Sequence, residues 1–244
     1  MDIGKSFSFV FEDKKWIEKV LIGGILMLVP ILGSILMLGY GVELVRNVRN
    51  HDPEPLPEWD EWGTKITEGL KLFIITFLWA LPLLILSFLL ILPAAIMGNS
   101  DSGSAIASIF SLCFSCFAAI YAIILWLATP GITIKFSETG NFSDGLKFGE
   151  ILNFTKKNLG QIIVAIIVIW LVYMVAGLLG SLLCLVGLFF TMFWASLVQY
   201  HIIGQIGLEA QKPERPLETL STEEPAAELP ETAASDEGAP NDNE

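Results

Sequence analysis

Asp, Glu, Lys and Arg are missing from three long stretches of this chain: Leu72 to Met97, Ala105 to Ile134 and Asn158 to Leu208. A bilayer core takes roughly 20 apolar residues per helix, so the first two stretches each suit one span and the third suits two. With 16% of residues charged, 53% hydrophobic and a mean hydropathy of +0.63, the composition excludes an ordinary soluble domain. Barrel strands alternate apolar with polar residues, whereas these stretches are apolar on every side, which excludes a β-barrel.

Cysteine is scarce too. Three residues exclude a disulfide framework. Cys113 and Cys116 form a C-x-x-C inside LCFSCFAAIYAIILWLA, without the electropositive surroundings that lower a thiol pKa, so they read as small helix-packing residues. Zinc would need further ligands, and Cys184, His51 and His201 are scattered over different segments. The patterns G-x-S-x-G, G-x-x-x-x-G-K-[ST] and H-E-x-x-H are absent, as is any basic, aromatic-laced surface for nucleic acid. No cofactor is implied.

What remains is an all-α integral membrane protein with about four transmembrane helices plus an N-terminal broken segment. Residues 1–208 form the membrane domain and residues 209–244 an acidic tail. From Glu209 onward eleven acids face only Lys212 and Arg215, so a net −9 of the chain's −12 lies there. Five prolines and no aromatic residue leave the tail too little apolar surface to offset its ordering entropy, so it is expected to be disordered.

The fourteen basic residues set an expected topology. They precede the first apolar run (Lys5, Lys14, Lys15, Lys19), follow it (Arg46, Arg49, Lys65, Lys71), fill the third connection (Lys135, Lys147, Lys156, Lys157) or lie in the tail. Cytoplasmic connections collect Lys and Arg, so these segments belong inside a plasma membrane, with the connection 98–104 and the turn near 177–187 outside. The first run, VLIGGILMLVPILGSILMLGYGV, either spans or re-enters. A hairpin broken at Pro30 and Gly33 keeps every basic residue inside, but arms of about ten residues, roughly 15 Å, are too short to cross alone. Its tip would then need a protein cover, because lipid cannot satisfy broken backbone. A weak internal repeat favours the hairpin: FVFEDKKWIEKVLI (Phe9 to Ile22) resembles ILNFTKKNLGQIIV (Ile151 to Val164), and EGLK at Glu68 recurs as DGLK at Asp144.

The stretch LPEWDEWGTKITEGLK, Leu56 to Lys71, is acidic and tryptophan-bearing amid greasy sequence. Trp59, Trp62, Ile66, Leu70 and Phe73 recur every three or four residues, Pro57 suits a first turn, and Glu58, Asp60 and Glu61 suit a helix N-terminus. It reads as an interfacial amphipathic helix anchored by Trp59 and Trp62. Anionic lipid would repel Glu58, Asp60 and Glu61, which therefore form an acidic clamp on Lys14, Lys15, Arg46 or Arg49. A divalent cation held by HDPEPLPEWDE is the alternative. Gln199, His201 and Gln205 are the intramembrane polar candidates, with His201 close to the interface and suited to anchoring or helix pairing. Ala176, Gly180 and Cys184, with Gly177 and Ser181, make a small-residue packing face. Pro82, Pro93 and Pro130 are candidate kinks.

The order FVFEDKKWIEKVLIGGILMLVPILGSILMLGYGVELVRNV, then LPEWDEWG, then EGLK, then a closing QYHIIGQ resembles a prokaryotic membrane family catalogued as domain of unknown function 4013. The resemblance implies a plasma-membrane component without an assigned activity, and it carries over no site residue. Three readings of function follow. The first is a non-enzymatic scaffold or accessory subunit in the lipid bilayer, with a membrane protein partner or as a homo-oligomer. The second is a small transporter or permeation subunit. The third is a lipid-active enzyme using the carboxylates of Asp52 to Glu61.

Overall fold

The computed structural model describes residues 1–97, 101–183 and 186–212, excepting the side chains of 89–97 and 101–110. Among the described residues every regular element is helical: α1 (Ile3–Glu12), α2 (Trp16–Leu26), α3 (Pro30–Arg49), α4 (Trp62–Met97), α5 (Asp101–Thr139), a 3-10 turn (Asp144–Leu146), α6 (Phe148–Lys157), α7 (Leu159–Leu182) and α8 (Val186–Ala210). Five of them hold segments long and apolar enough to cross a membrane: Pro30–Arg49, Trp62–Phe88, Ser111–Thr139, Leu159–Leu182 and Val186–Ala210. The protein is thus an all-helical, multi-pass membrane protein. The tail from Pro213 onward lies outside the described residues.

Helix α8 is central. From Tyr200 to Gly207 every residue is buried, as suits a helix that is apolar all round. Its contacts fix the path of the first run. Asp2 and Ser6 of α1 bond to Gln205, Ser6 also meets His201, and Gly23 and Gly24 of α2 lie against Phe193 and Phe190. The chain then returns along α3, where Met37 meets Ser196, Gly41 lies on Tyr200, Val48 on Gly204 and Arg49 on Gly207. The first run goes down α8 and comes back.

The turn at the tip, residues 27–29, sits where the sequence placed the break. Its expected protein cover is not supplied by the described residues, because Ile31 is 80% exposed and Leu28 and Val29 are also exposed. Part of the turn's backbone is satisfied locally. The N–H groups of Met27, Leu28, Val29 and Gly33 donate to carbonyls three or four residues back, at 2.8 to 3.1 Å, and Pro30 brings no N–H.

Helices α3 and α4 meet backbone to backbone. A Cβ on Gly39 would collide with the Lys65 carbonyl, and one on Gly69 with the Ile35 carbonyl, so both positions require glycine for this approach. Helix α4 runs on through Pro82 and Pro93, and α5 through Pro130. Ala176 and Gly180 of α7 are buried, Gly180 against Thr191 and Leu188, while Ser181 is exposed and Cys184 lies outside the described residues. Cys113 and Cys116 are free and exposed on α5, so they do not pack within this chain as expected.

The two halves of the long repeat share one form: a short helix, a bend after the lysine pair, then an apolar helix, as α1–α2 and again as α6–α7. The shorter match fails. EGLK lies inside α4, whereas DGLK opens the 3-10 turn, where Asp144 accepts from the Thr139 hydroxyl at 2.5 Å and pairs with Lys147 at 3.1 Å.

Candidate functional site

The acidic tryptophan stretch is not the helix its spacing suggested. After α3 the chain ends in a Schellman-type turn: the His51 N–H donates to the Val48 carbonyl and the Asp52 N–H to the Asn47 carbonyl, with His51 left-handed at φ 58°. Residues 52–61 form an irregular connection with bends at 53, 54, 56 and 59, and α4 starts only at Trp62 and runs without interruption to Met97. No separate interfacial helix exists in this stretch. Pro53, Pro55 and Pro57 bias each preceding residue toward extended backbone, which overrides the helical spacing of the aromatics.

An irregular segment outside any helix leaves carbonyls to be satisfied, and side chains from three helices satisfy them in succession. Asn47 Nδ2 donates to Pro55 O at 3.1 Å, Lys19 Nζ to Leu56 O at 2.9 Å, Tyr40 Oη to Pro57 O at 2.7 Å and Lys65 Nζ to Asp60 O at 3.0 Å. In return Trp59 Nε1 donates to Lys19 O at 2.9 Å. The segment is a strap held against the bundle. Trp59 packs on Tyr40 at 4.4 Å and on Phe193 at 6.0 Å, so its ring is seated against the bundle. Trp62 stacks on Trp59 at 5.5 Å but is 41% exposed.

The acidic clamp exists with partly different partners. Glu58 lies 3.1 Å from Lys19 and 3.7 Å from Lys15, and Asp60 lies 3.4 Å from Lys65. Lys15 was foreseen, whereas Arg46 and Arg49 go to Glu68 and Glu138 instead. Glu61 has left-handed backbone, φ 43°, and its carbonyl receives the first bonds of α4. Two lysines that the sequence reading used only to set the topology are buried. Lys19 is paired at 2.6 Å with buried Asp13, and Lys65, 1% exposed, is paired at 2.9 Å with Glu43. Among the described residues no three His, Cys, Asp or Glu side chains are gathered as metal ligands, and His51, Asp52 and Glu54 are all exposed.

The polar candidates of α8 separate into two sets. Gln199 Oε1 accepts from Tyr173 of α7 at 2.8 Å. His201 and Gln205 instead join α8 to α1. Gln205 Oε1 accepts the Asp2 N–H at 2.7 Å while its Nε2 donates to Asp2 O at 2.9 Å and to Ser6 Oγ at 3.2 Å. His201 is 3% exposed, stacks on Phe9 at 4.1 Å and holds Nδ1 2.9 Å from Ser6 Oγ. Both border a cavity of about 490 Å³ at the end of the bundle, between α1, the start of the strap and the end of α8. Lys5, Glu12 and Asp52 also line it, and sequence spacing gave no sign of this meeting because the residues are up to two hundred positions apart.

An all-helical bundle with a returning N-terminal hairpin, an irregular strap and five helices able to cross a membrane defines a multi-pass membrane protein. The chain belongs to the family described as "Protein of unknown function (DUF4013)", whose model matches residues 22–185. That match starts inside α2, takes in the strap and the α4–α5 hairpin, and ends between α7 and α8. Searches of curated proteins and of solved structures found no match.

Proposed function

We propose that the protein is a non-enzymatic scaffold or accessory subunit of the plasma membrane, whose α4–α5 arm receives a membrane protein partner or a second copy of the chain. The observation that carries this reading is the bareness of α5. Only 6% of its most apolar window is enclosed by the chain, and Ser111, Ser115, Ala119 and Ala122 are exposed along it at helical spacing. Small residues facing outward in a membrane helix favour close approach of another helix over lipid contact. The test is purification in mild detergent. A partner or second copy in fixed stoichiometry, lost when Ser115 and Ala119 are both replaced by Leu, supports the reading; a monomer with unchanged composition in both variants rejects it.

The small-transporter reading draws on the returning hairpin and the polar cavity beside α8. Solute flux by purified protein in liposomes would favour it over the scaffold. In either reading the basic connections and the tail are cytoplasmic, supported by the placement of Asp2 and Arg49 beside the same final turns of α8. Single cysteines at Ser102 and Thr219 in a Cys-free background test this: an impermeant maleimide on intact cells labels the first and spares the second.

A further inference from the structure

The cavity bordered by α1, residues 51–55 and the end of α8 carries groups that the packing leaves unused. His201 is one of them. Gln205 has its orientation fixed by the Asp2 N–H and carbonyl, so its Nε2 is a donor, and that donor lies 3.3 Å from His201 Nδ1. Nδ1 is held 2.9 Å from the Ser6 hydroxyl, which also lies 3.2 Å from the Asp2 carbonyl, and the ring's other nitrogen, Nε2, has no hydrogen-bond partner among the described residues.

The charged side chains divide in the same way. Among the described residues Lys5 and Lys212 have no carboxylate within ion-pairing distance. The lining carboxylates are all engaged: Asp2 caps the Lys5 N–H at 3.0 Å, Glu12 accepts from Ser8 at 3.1 Å, Asp52 accepts the Glu54 N–H at 3.0 Å, and Glu209 holds the Met1 amine. Two unpaired ammonium groups, one from α1 and one from the end of α8, with the unpartnered imidazole nitrogen of His201 beside them, suit an anion with several acceptor oxygens. Phosphate offers these better than a planar carboxylate. The lining nevertheless holds four carboxylates against three cations, Lys5, Lys212 and the Met1 amine, so a bare phosphate would meet a surplus of negative charge. An ammonium joined to the phosphate removes that conflict, because Glu12 and Asp52 keep lone pairs to receive it.

We infer that this cavity binds a zwitterionic phosphate–ammonium group, with the phosphate on Lys5, Lys212 and His201 and the ammonium toward Glu12 and Asp52. The group is either a soluble phosphodiester or the head of a bilayer lipid. The experiment is calorimetric titration of the full chain in maltoside micelles with glycerophosphoethanolamine, inorganic phosphate and ethanolamine, followed by mixed micelles containing phosphatidylethanolamine. Charge-assisted hydrogen bonds to phosphate lead to an expected loss of about tenfold or more in affinity for Lys5→Met with Lys212→Met, and a similar loss for Glu12→Gln with Asp52→Asn. Those four side chains are removable without touching the Ser6–His201–Gln205 bonds, and an unchanged thermal transition confirms an intact fold. Phosphate or ethanolamine alone should bind at least about tenfold more weakly than the joined group. Equal binding of glycerophosphoethanolamine and the lipid identifies the head alone as ligand, and binding of the lipid only identifies a bilayer source. Absence of binding by both, or binding indifferent to either double variant, overturns the proposal.

Discussion

Helices α8 and α5 are both apolar enough to span a bilayer, yet half of the most apolar window of α8 is enclosed by the chain and only 6% of that of α5. The polar side chains differ as sharply. Around α8 and α3 lie buried Lys19, Lys65, Arg49 and His201, each with named partners, whereas the described polar groups of the apolar part of α5 mostly bond to helix carbonyls, as Thr129 does to Leu125 and Tyr121 to Trp79. Hydropathy alone does not distinguish the two helices. It measures the capacity to cross lipid, while the buried charges show which part of the molecule is held by specific bonds and which part is free to meet another surface.

Four measurements would break or sharpen this contrast. The largest effect belongs to the packed half. Lys19→Met leaves Asp13 and the Leu56 carbonyl without their buried cation, at an expected cost of about 3–5 kcal/mol, read as failure to refold or as a large drop in the detergent unfolding midpoint. Next comes the junction of arm and body, where Gly69→Leu forces a side chain into the Ile35 carbonyl. Overpacking of this kind costs about 1–3 kcal/mol, and proteolysis between α3 and α4 would show it. Trp59→Ala should lower the thermal midpoint more than Trp62→Ala, because Trp59 loses its bond to Lys19 O and its packing on Tyr40 while Trp62 is already 41% exposed. Equal effects would return the pair to a shared interfacial role.

The smallest effect is a pH dependence at the end of the arm. The Thr139 hydroxyl, and after it Lys147, hold the exposed Asp144 carboxyl below the usual carboxylate range. A depressed folded-state pKa stabilises the turn above the unfolded pKa, and that contribution is lost as pH falls through the folded value. Amide protection factors across residues 139–147, each referred to the intrinsic exchange rate at that pH, should therefore be constant near neutrality and fall only in acid below the ordinary carboxylate pKa, a response that Asp144→Asn abolishes.

The sequence made the spans legible because uncharged stretches of this length have one low-energy environment, and Pro30 marked the turn of the first run. The α1–α2 and α6–α7 bends were not foreseen, although the repeat that contains them was. The strap was misread because Trp59, Trp62 and Ile66 recur at helical spacing, while the evidence against a helix lay in Pro53, Pro55 and Pro57 at every second position. The buried lysines were hidden for a different reason. Lys19 and Lys65 lie in segments whose neighbouring charges do face outward, and only the folded path shows that the strap's carbonyls await them. The His201 site was half visible: the residue stood out, but its partners Asp2 and Ser6 are brought to it only by the return of the chain.

That return imposes an order in time. Helices α1, α2 and α3 all pack on α8, the final helix of the described chain to be synthesised. At translation rates of roughly 5–20 residues per second, Arg49 precedes its neighbour Gly207 by about ten to thirty seconds. During that interval Ser6, Gly23, Gly24 and Gly41 are without their α8 neighbours His201, Phe193, Phe190 and Tyr200. A chain halted before Val186 would hold its α3–α4 contact but leave the α8-facing side of its first fifty or so residues open, so the earliest segment made is among the last to be fully secured.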